Sequence, residues 1–91
     1  MTIPETARPH LSPGVKLQFD RTREQWILQA PERVFVLDDT AYEIVLRCTG
    51  EVSLQALVRD LSNAFDADEV EIAGDVEALL ESLIEKRVVV I

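Results

Sequence analysis

Side chains able to do chemistry are few in this 91-residue chain, and they are scattered. The one histidine, His10, sits in a proline-rich stretch, and the one cysteine, Cys48, falls on the apolar face of a helical pattern. Neither has the spaced Cys, His or carboxylate companions that a zinc or iron site requires. A thiol with no paired base is a poor nucleophile, so Cys48 reads as a core residue. Asp38 and Asp39 have the composition of an acid/base couple. Adjacent acids directly before a helical pattern more often cap its free N–H groups. Gly14, Gly50 and Gly74 stand alone and make no phosphate-cradling loop. No metal, no cofactor and no catalytic residue is predicted, and the chain is not expected to be an enzyme.

What remains is the chemistry of the backbone. In "LQAPERVFVLDDTAYEIVLRCTG", residues 28–50, an apolar run stops at Pro31, restarts as Val34-Phe35-Val36-Leu37 and passes directly into a helical pattern. These four residues are apolar on both faces of a strand. One face can pack on helices, and the other needs a cover or a partner. As an edge strand, the segment would offer unpaired N–H and C=O groups to an added strand from a peptide, a second copy, or the chain's own tail.

The elements that position this strand follow from periodicity. Residues 1–14 hold Pro4, Pro9, Pro13 and Gly14 and read as an extended N-terminal arm, with the folded domain spanning 15–91. Val15, Leu17 and Phe19 alternate with Lys16, Gln18 and Asp20, which suits a strand buried on one face. A polar connection leads to a second strand, Trp26 to Ala30, and Pro31 makes a corner before the third, Val34 to Leu37. Asp38-Asp39-Thr40 can cap a first helix bearing Ala41, Ile44, Val45 and Cys48, which Gly50 stops. Ser53 caps a second, with Leu54, Leu57, Val58, Leu61 and Phe65 on one side. Asp66 or Asp68 caps a third that runs to about Lys86. Val88 to Ile91 form a short terminal strand or tail. The expected fold is α+β and winged helix-turn-helix-like: a three-stranded antiparallel sheet followed by three helices.

The third helix is apolar over a wide arc. At about 100° per residue, Leu79, Ile72, Leu83, Val76, Leu80, Ala73 and Ile84 spread over roughly 140°, more than the ~100° that core packing demands. Its centre faces the core. Periodicity leaves open whether margins such as Leu79 and Ile84 are buried or line a groove. Trp26 and Tyr42 have the character of interface anchors, although core packing is the plainer role for both.

Charge narrows the partners. Seventeen acidic and nine basic side chains give a formal charge of −8, with eight of the acids after residue 65. Such a field repels nucleic acid and anionic lipid. A winged-helix DNA-binding protein is one alternative, but the third helix is studded with Asp and Glu where a DNA reader needs Arg, Lys, Asn or Gln. A homodimeric structural module built by meeting sheet edges is another. The N-terminus lacks a signal-peptide pattern and no apolar run is long enough to span a membrane, so a cytoplasmic location is expected.

Three segments, "PERVFVLDDTAYEIVLRCTG", "VSLQALVRDLSNAF" and "DVEALLESLIEKRVV", resemble in order and spacing the pyrroloquinoline quinone (PQQ) biosynthesis protein D family. The likeness runs from Leu11 onward and includes the Trp26 strand followed by Pro31-Glu32, the helix ending at Gly50, and Asp75-Val76 heading a leucine-rich helix. The resemblance implies a stand-alone recognition element for a ribosomally made precursor peptide. It implies a peptide chaperone that binds the precursor and presents it to a radical S-adenosylmethionine enzyme, which cross-links a Glu and a Tyr of the peptide. It further implies that the peptide adds beside the third strand and lies against the third helix. On this sequence those positions are Arg33, Val34, Phe35, Val36 and Leu37, with Asp75, Leu79, Ser82 and Leu83. The apolar tail could instead fill the sheet edge, or promote a homodimer by strand exchange.

Overall fold

The computed structural model describes residues 3–91; Met1 and Thr2 of the expected arm lie outside them. The element order is β1 (His10–Leu11), β2 (Lys16–Asp20), β3 (Gln25–Gln29), β4 (Val34–Leu37), α1 (Asp39–Leu46), α2 (Leu54–Phe65), α3 (Glu69–Glu85) and β5 (Val89–Val90). β2, β3 and β4 form an antiparallel sheet in that spatial order. The α+β fold with three strands and then three helices is the expected one.

Short-range chemistry sets the turns of this sheet. The Asp20 carboxylate accepts hydrogen bonds from the N–H groups of Thr22 and Arg23 at 3.0 and 3.3 Å, closing the β2–β3 connection. At the next corner, Pro31 and Glu32 are the whole loop, and Ala30 N–H donates to the Arg33 carbonyl at 2.8 Å. Register then aligns Leu17, Leu28 and Phe35 across the three strands, and beside them Phe19, Trp26 and Leu37. Directly opposed residues share a face, and this face meets the helices. Leu28 and Leu37 are buried there with Ile44, Val45, Leu57, Leu61, Val76 and Leu80. Trp26 stacks on Tyr42 at 4.6 Å between ring centroids, with Phe19 edge-on at 5.3 Å. Both Trp26 and Tyr42 are half-buried at the core margin.

Each helix begins on an acceptor side chain. Asp38, Ser53 and Asp68 accept from the N–H groups of Ala41, Ala56 and Glu71. The helix ends depart from expectation in one place: α1 stops at Leu46, not near Gly50. Cys48 keeps the helical spacing and stays buried although it lies beyond the helix, its thiol donating to the Ile44 carbonyl at 3.3 Å. Gly50 serves the loop that follows. It takes a left-handed φ of +81°, which glycine adopts freely, and its N–H donates to the Pro9 carbonyl at 3.0 Å.

α3 ends in a double-bonded reversal in which Arg87 N–H donates to Ile84 and Val88 N–H to Leu83. Arg87 takes a left-handed conformation there, φ +63°, where glycine is usual.

The N-terminal segment is more than an extended arm. Ile3 and Pro9 are buried, and the carbonyls of Glu5 and Ala7 accept from Gln55 and Leu54, filling two of the donors that the start of α2 leaves free. β1 then pairs antiparallel with β5, His10 opposite Val90 and Leu11 opposite Val89. Ser12 ties the same ends together, its hydroxyl donating to the Arg87 carbonyl at 2.9 Å. The tail therefore pairs with β1, and the free edge of β4 is not its partner.

Candidate functional site

The three-stranded sheet has two open edges, the outer sides of β2 and of β4, and the β4 edge is the one beside the end of α3. Ala30 and Arg33 form a hydrogen-bonded pair at the corner, and in an antiparallel ladder such pairs alternate with non-bonded ones. Phe35 and Leu37 therefore exchange bonds with Leu28 and Trp26, while Val34 and Val36 turn their N–H and C=O groups away from β3. β4 closes the strand order on that side, so these groups point to the free edge. Their side chains are exposed too, at 49% and 57%. Phe35 and Leu37 face the helices, Leu37 buried and Phe35 half-buried.

Arg33 joins this strand to the helical layer. Its guanidinium lies 5.3 Å from the centroid of the Phe35 ring and donates through Nη2 to the Lys86 carbonyl at 2.8 Å. One end of β4 is thereby held to the C-terminal end of α3. Along α3, Asp75, Leu79, Ser82 and Lys86 recur at helical spacing on one side. Asp75 is exposed, and Leu79 is half-buried with its inner side on the core. Ser82 Oγ accepts from Lys86 Nζ at 2.7 Å. Leu83, at 4% exposure, belongs to the core and lies behind the others. Of the two margin residues that periodicity left open, Leu79 and Ile84, both pack on the core and both keep part of their surface.

Beyond the other end of β4 the surface opens into a groove of about 490 Å³. Ile44, Leu61, Phe65, Ile72 and Val76 supply its apolar lining, with Asp39, Thr40, Glu43 and Asp75 also on its walls. Phe65 is 54% exposed, a large cost for a ring at a helix end unless something covers it. Of these residues the sequence marks only Asp75 as a site residue. Adjacency predicts a shared capping role for Asp38 and Asp39, and the structure separates them: Asp38 caps α1 at 2.7 Å from Ala41 N–H, and Asp39 lines the groove. Phe65 ended an ordinary apolar stripe, and nothing in that spacing marks it as exposed.

The titratable groups elsewhere are structural. Burial pushes the Cys48 thiol up to about 12, far from a reactive thiolate. Arg47 is held in its charged form chiefly by its hydrogen bond to Glu43, and it also bridges to Asp60 at 2.6 Å, joining α1 to α2. His10 Nδ1 lies 3.2 Å from the Arg8 carbonyl. Among the described residues no three His, Cys, Asp or Glu side chains gather as a metal site, and no helix is long and apolar enough to cross a membrane.

The candidate site thus comprises an open strand edge, an arginine bridge to the C-terminal end of α3 and an apolar groove. The sequence profile of coenzyme PQQ synthesis protein D (PqqD) matches residues 25–89, from β3 through β5, and so takes in every wall of this surface. The chain belongs to the PqqD family. PqqD relatives agree along nearly the whole length: a protein of Rhodopseudomonas palustris (strain BisB5) is 43% identical over 86 residues, covering 94% of this chain and 84% of its own. One from Xanthomonas axonopodis pv. citri is 46% identical over 85 residues, covering 93% and 92%. Both carry the name PqqA binding protein. The solution structure of the PqqD truncation of Methylobacterium extorquens PqqCD, described as a functional stand-alone RiPP recognition element, superposes with a TM-score of 0.78 at 36% identity, covering 91% of this chain and 88% of that one. The crystal structure of PqqD from Xanthomonas campestris gives 0.59 at 46% identity, covering 94% and 96%.

Proposed function

We propose that this chain is a non-catalytic, cytoplasmic chaperone that binds the precursor peptide PqqA as an added strand on β4 and presents it to a radical S-adenosylmethionine enzyme for Glu–Tyr cross-linking. The observation that carries this reading is the outward N–H and C=O set of Val34 and Val36 at the one sheet edge, of the two, that Arg33 joins to α3. An extended guest would satisfy those groups and bury the exposed valines, gaining main-chain register and side-chain contact together. Arg33, Phe35 and Leu37 on the strand and Asp75, Leu79 and Ser82 on α3 would border the guest, with Leu83 supporting the helix wall from the core. The names borne by the relatives, and the role described for the M. extorquens structure, support a peptide guest.

Presentation is tested by reconstitution. Purified radical enzyme, PqqA, S-adenosylmethionine and reductant are incubated with and without this chain, and cross-linked peptide is followed by its mass loss of two hydrogens. Product that depends on the chain, and that fails with a folded Val36→Pro variant, is the expected result. Equal product in its absence removes the chaperone role.

A further inference from the structure

The two ends of the β4–α3 surface carry opposite charge, and this bears on which way a guest lies. Arg33 meets Lys86 at one end, and Asp39, which follows β4, shares the groove with Asp75 at the other. β4 and α3 therefore run in opposite directions past each other. From Arg33 to Asp39 the chain spans roughly 20 Å if extended, and α3 from Asp75 to Lys86 spans about 16 Å, so the two walls agree in length to within about one or two strand residues.

At the Arg33 end, Arg33, Lys86 and Arg87 line a shallow pocket with one acid, Glu32. Only one of the guanidinium's five N–H donors is given to Lys86. At the far end Asp39, Glu43 and Asp75 line the apolar groove without a base among its lining residues. Glu43 is already paired with Arg47 at 2.8 Å, which leaves Asp39 and Asp75 as the free negative charge of that groove.

Resting on the strand-addition reading, we infer that this charge order selects the guest and its direction. The bound segment places an acidic side chain at Arg33 and Lys86, and a basic one at Asp39 and Asp75. About six residues separate the two, with apolar side chains between them that meet Phe35 and Leu79. A guest with the opposite order must lie reversed or set like charges together, which weakens it.

Double-mutant cycles test the inference. Synthetic PqqA, with each acidic or basic side chain changed singly to glutamine, is titrated against the labelled wild-type chain and its Arg33→Gln, Arg33→Lys and Asp75→Asn variants, following backbone amides. Expected is a loss of about threefold to fivefold for Arg33→Gln that vanishes when one particular guest acid is already neutral, with Arg33→Lys keeping the coupling. Asp75→Asn should couple in the same way to one guest base, about six positions from that acid. β4 amides that shift normally while no guest charge couples to either residue, or couplings to adjacent guest positions, overturn the charge order and leave strand addition standing. Absence of saturable shifts at β4 with every peptide overturns both.

Discussion

Ile27 and Val36 stand directly opposite each other across the β3–β4 ladder, yet Ile27 is 6% exposed and Val36 57%. Ile27 lies in the middle strand between Gln18 and Val36, whereas Val36 has a neighbour on one side only. The asymmetry is that of a middle strand against an edge strand. It also fixes which backbone groups can be removed without harming the fold.

Val36 directs its N–H outward, so Val36→Pro should leave the β3–β4 ladder intact and weaken PqqA binding by about tenfold or more, for a lost main-chain bond and a disturbed added strand. Phe35→Pro removes a donor to Leu28 and should unfold the sheet. Circular dichroism and peptide titration separate the two; a folded Val36→Pro chain with unchanged affinity would contradict the edge assignment.

Leu80 is fully buried at the centre of α3's inner stripe, among Leu28, Leu57 and Val76. Leu80→Ala should cost about 2–5 kcal/mol, a large share of what a chain of this size can have. Urea unfolding measures it. A change below about 1 kcal/mol would mean that the stripe is not packed as described.

The two adjacent acids before α1 should behave differently. Asp38→Ala removes the bond to Ala41 N–H and should cost about 0.5–2 kcal/mol in thermal or urea unfolding. Asp39→Ala leaves that cap in place and should change stability little. Equal effects would show that the cap is shared.

Much of this was legible in the sequence because local rules agree with the fold. Alternation marked β2, the β-forming run Trp26 to Ala30 marked β3, the apolar run after the Pro31 corner marked β4, and Asp38, Ser53 and Asp68 marked the helix starts on which they act as caps. Where prediction departed, a long-range partner decided the outcome. α1 stops at Leu46 while Cys48 stays buried, since periodicity reports burial and not hydrogen bonding. Residues 3–9 lack a periodic pattern, and their burial comes from docking on α2 and from the β1–β5 pairing. The tail's partner could not be read because two valines fit any edge. In the site, the strand edge was legible from Val34 to Leu37. The groove was not, because Phe65 and Ile72 look like core until the packing of three helices leaves them partly uncovered.

Cys48 links stability to pH. Its thiol titrates near 9 when unfolded and at about 12 when folded, raised by burial. A raised value means the neutral form is favoured by folding, so this contribution is whole below pH 9 and is lost as pH climbs from 9 toward 12. Native protein at pH 8 should react with a thiol reagent only at the rate of local opening, and Cys48→Ser should blunt the alkaline fall in stability. Immediate labelling of the folded chain would contradict the burial.

The most direct measurement is a titration of the isotopically labelled chain with synthetic PqqA, read at every backbone amide. Expected are saturable shifts concentrated in Arg33 to Leu37 and along α3 from Asp75 to Lys86, with new protection of the Val34 and Val36 amides from solvent exchange. Saturable binding whose shifts fall elsewhere, with Val34 and Val36 still exchanging freely, would contradict strand addition on β4.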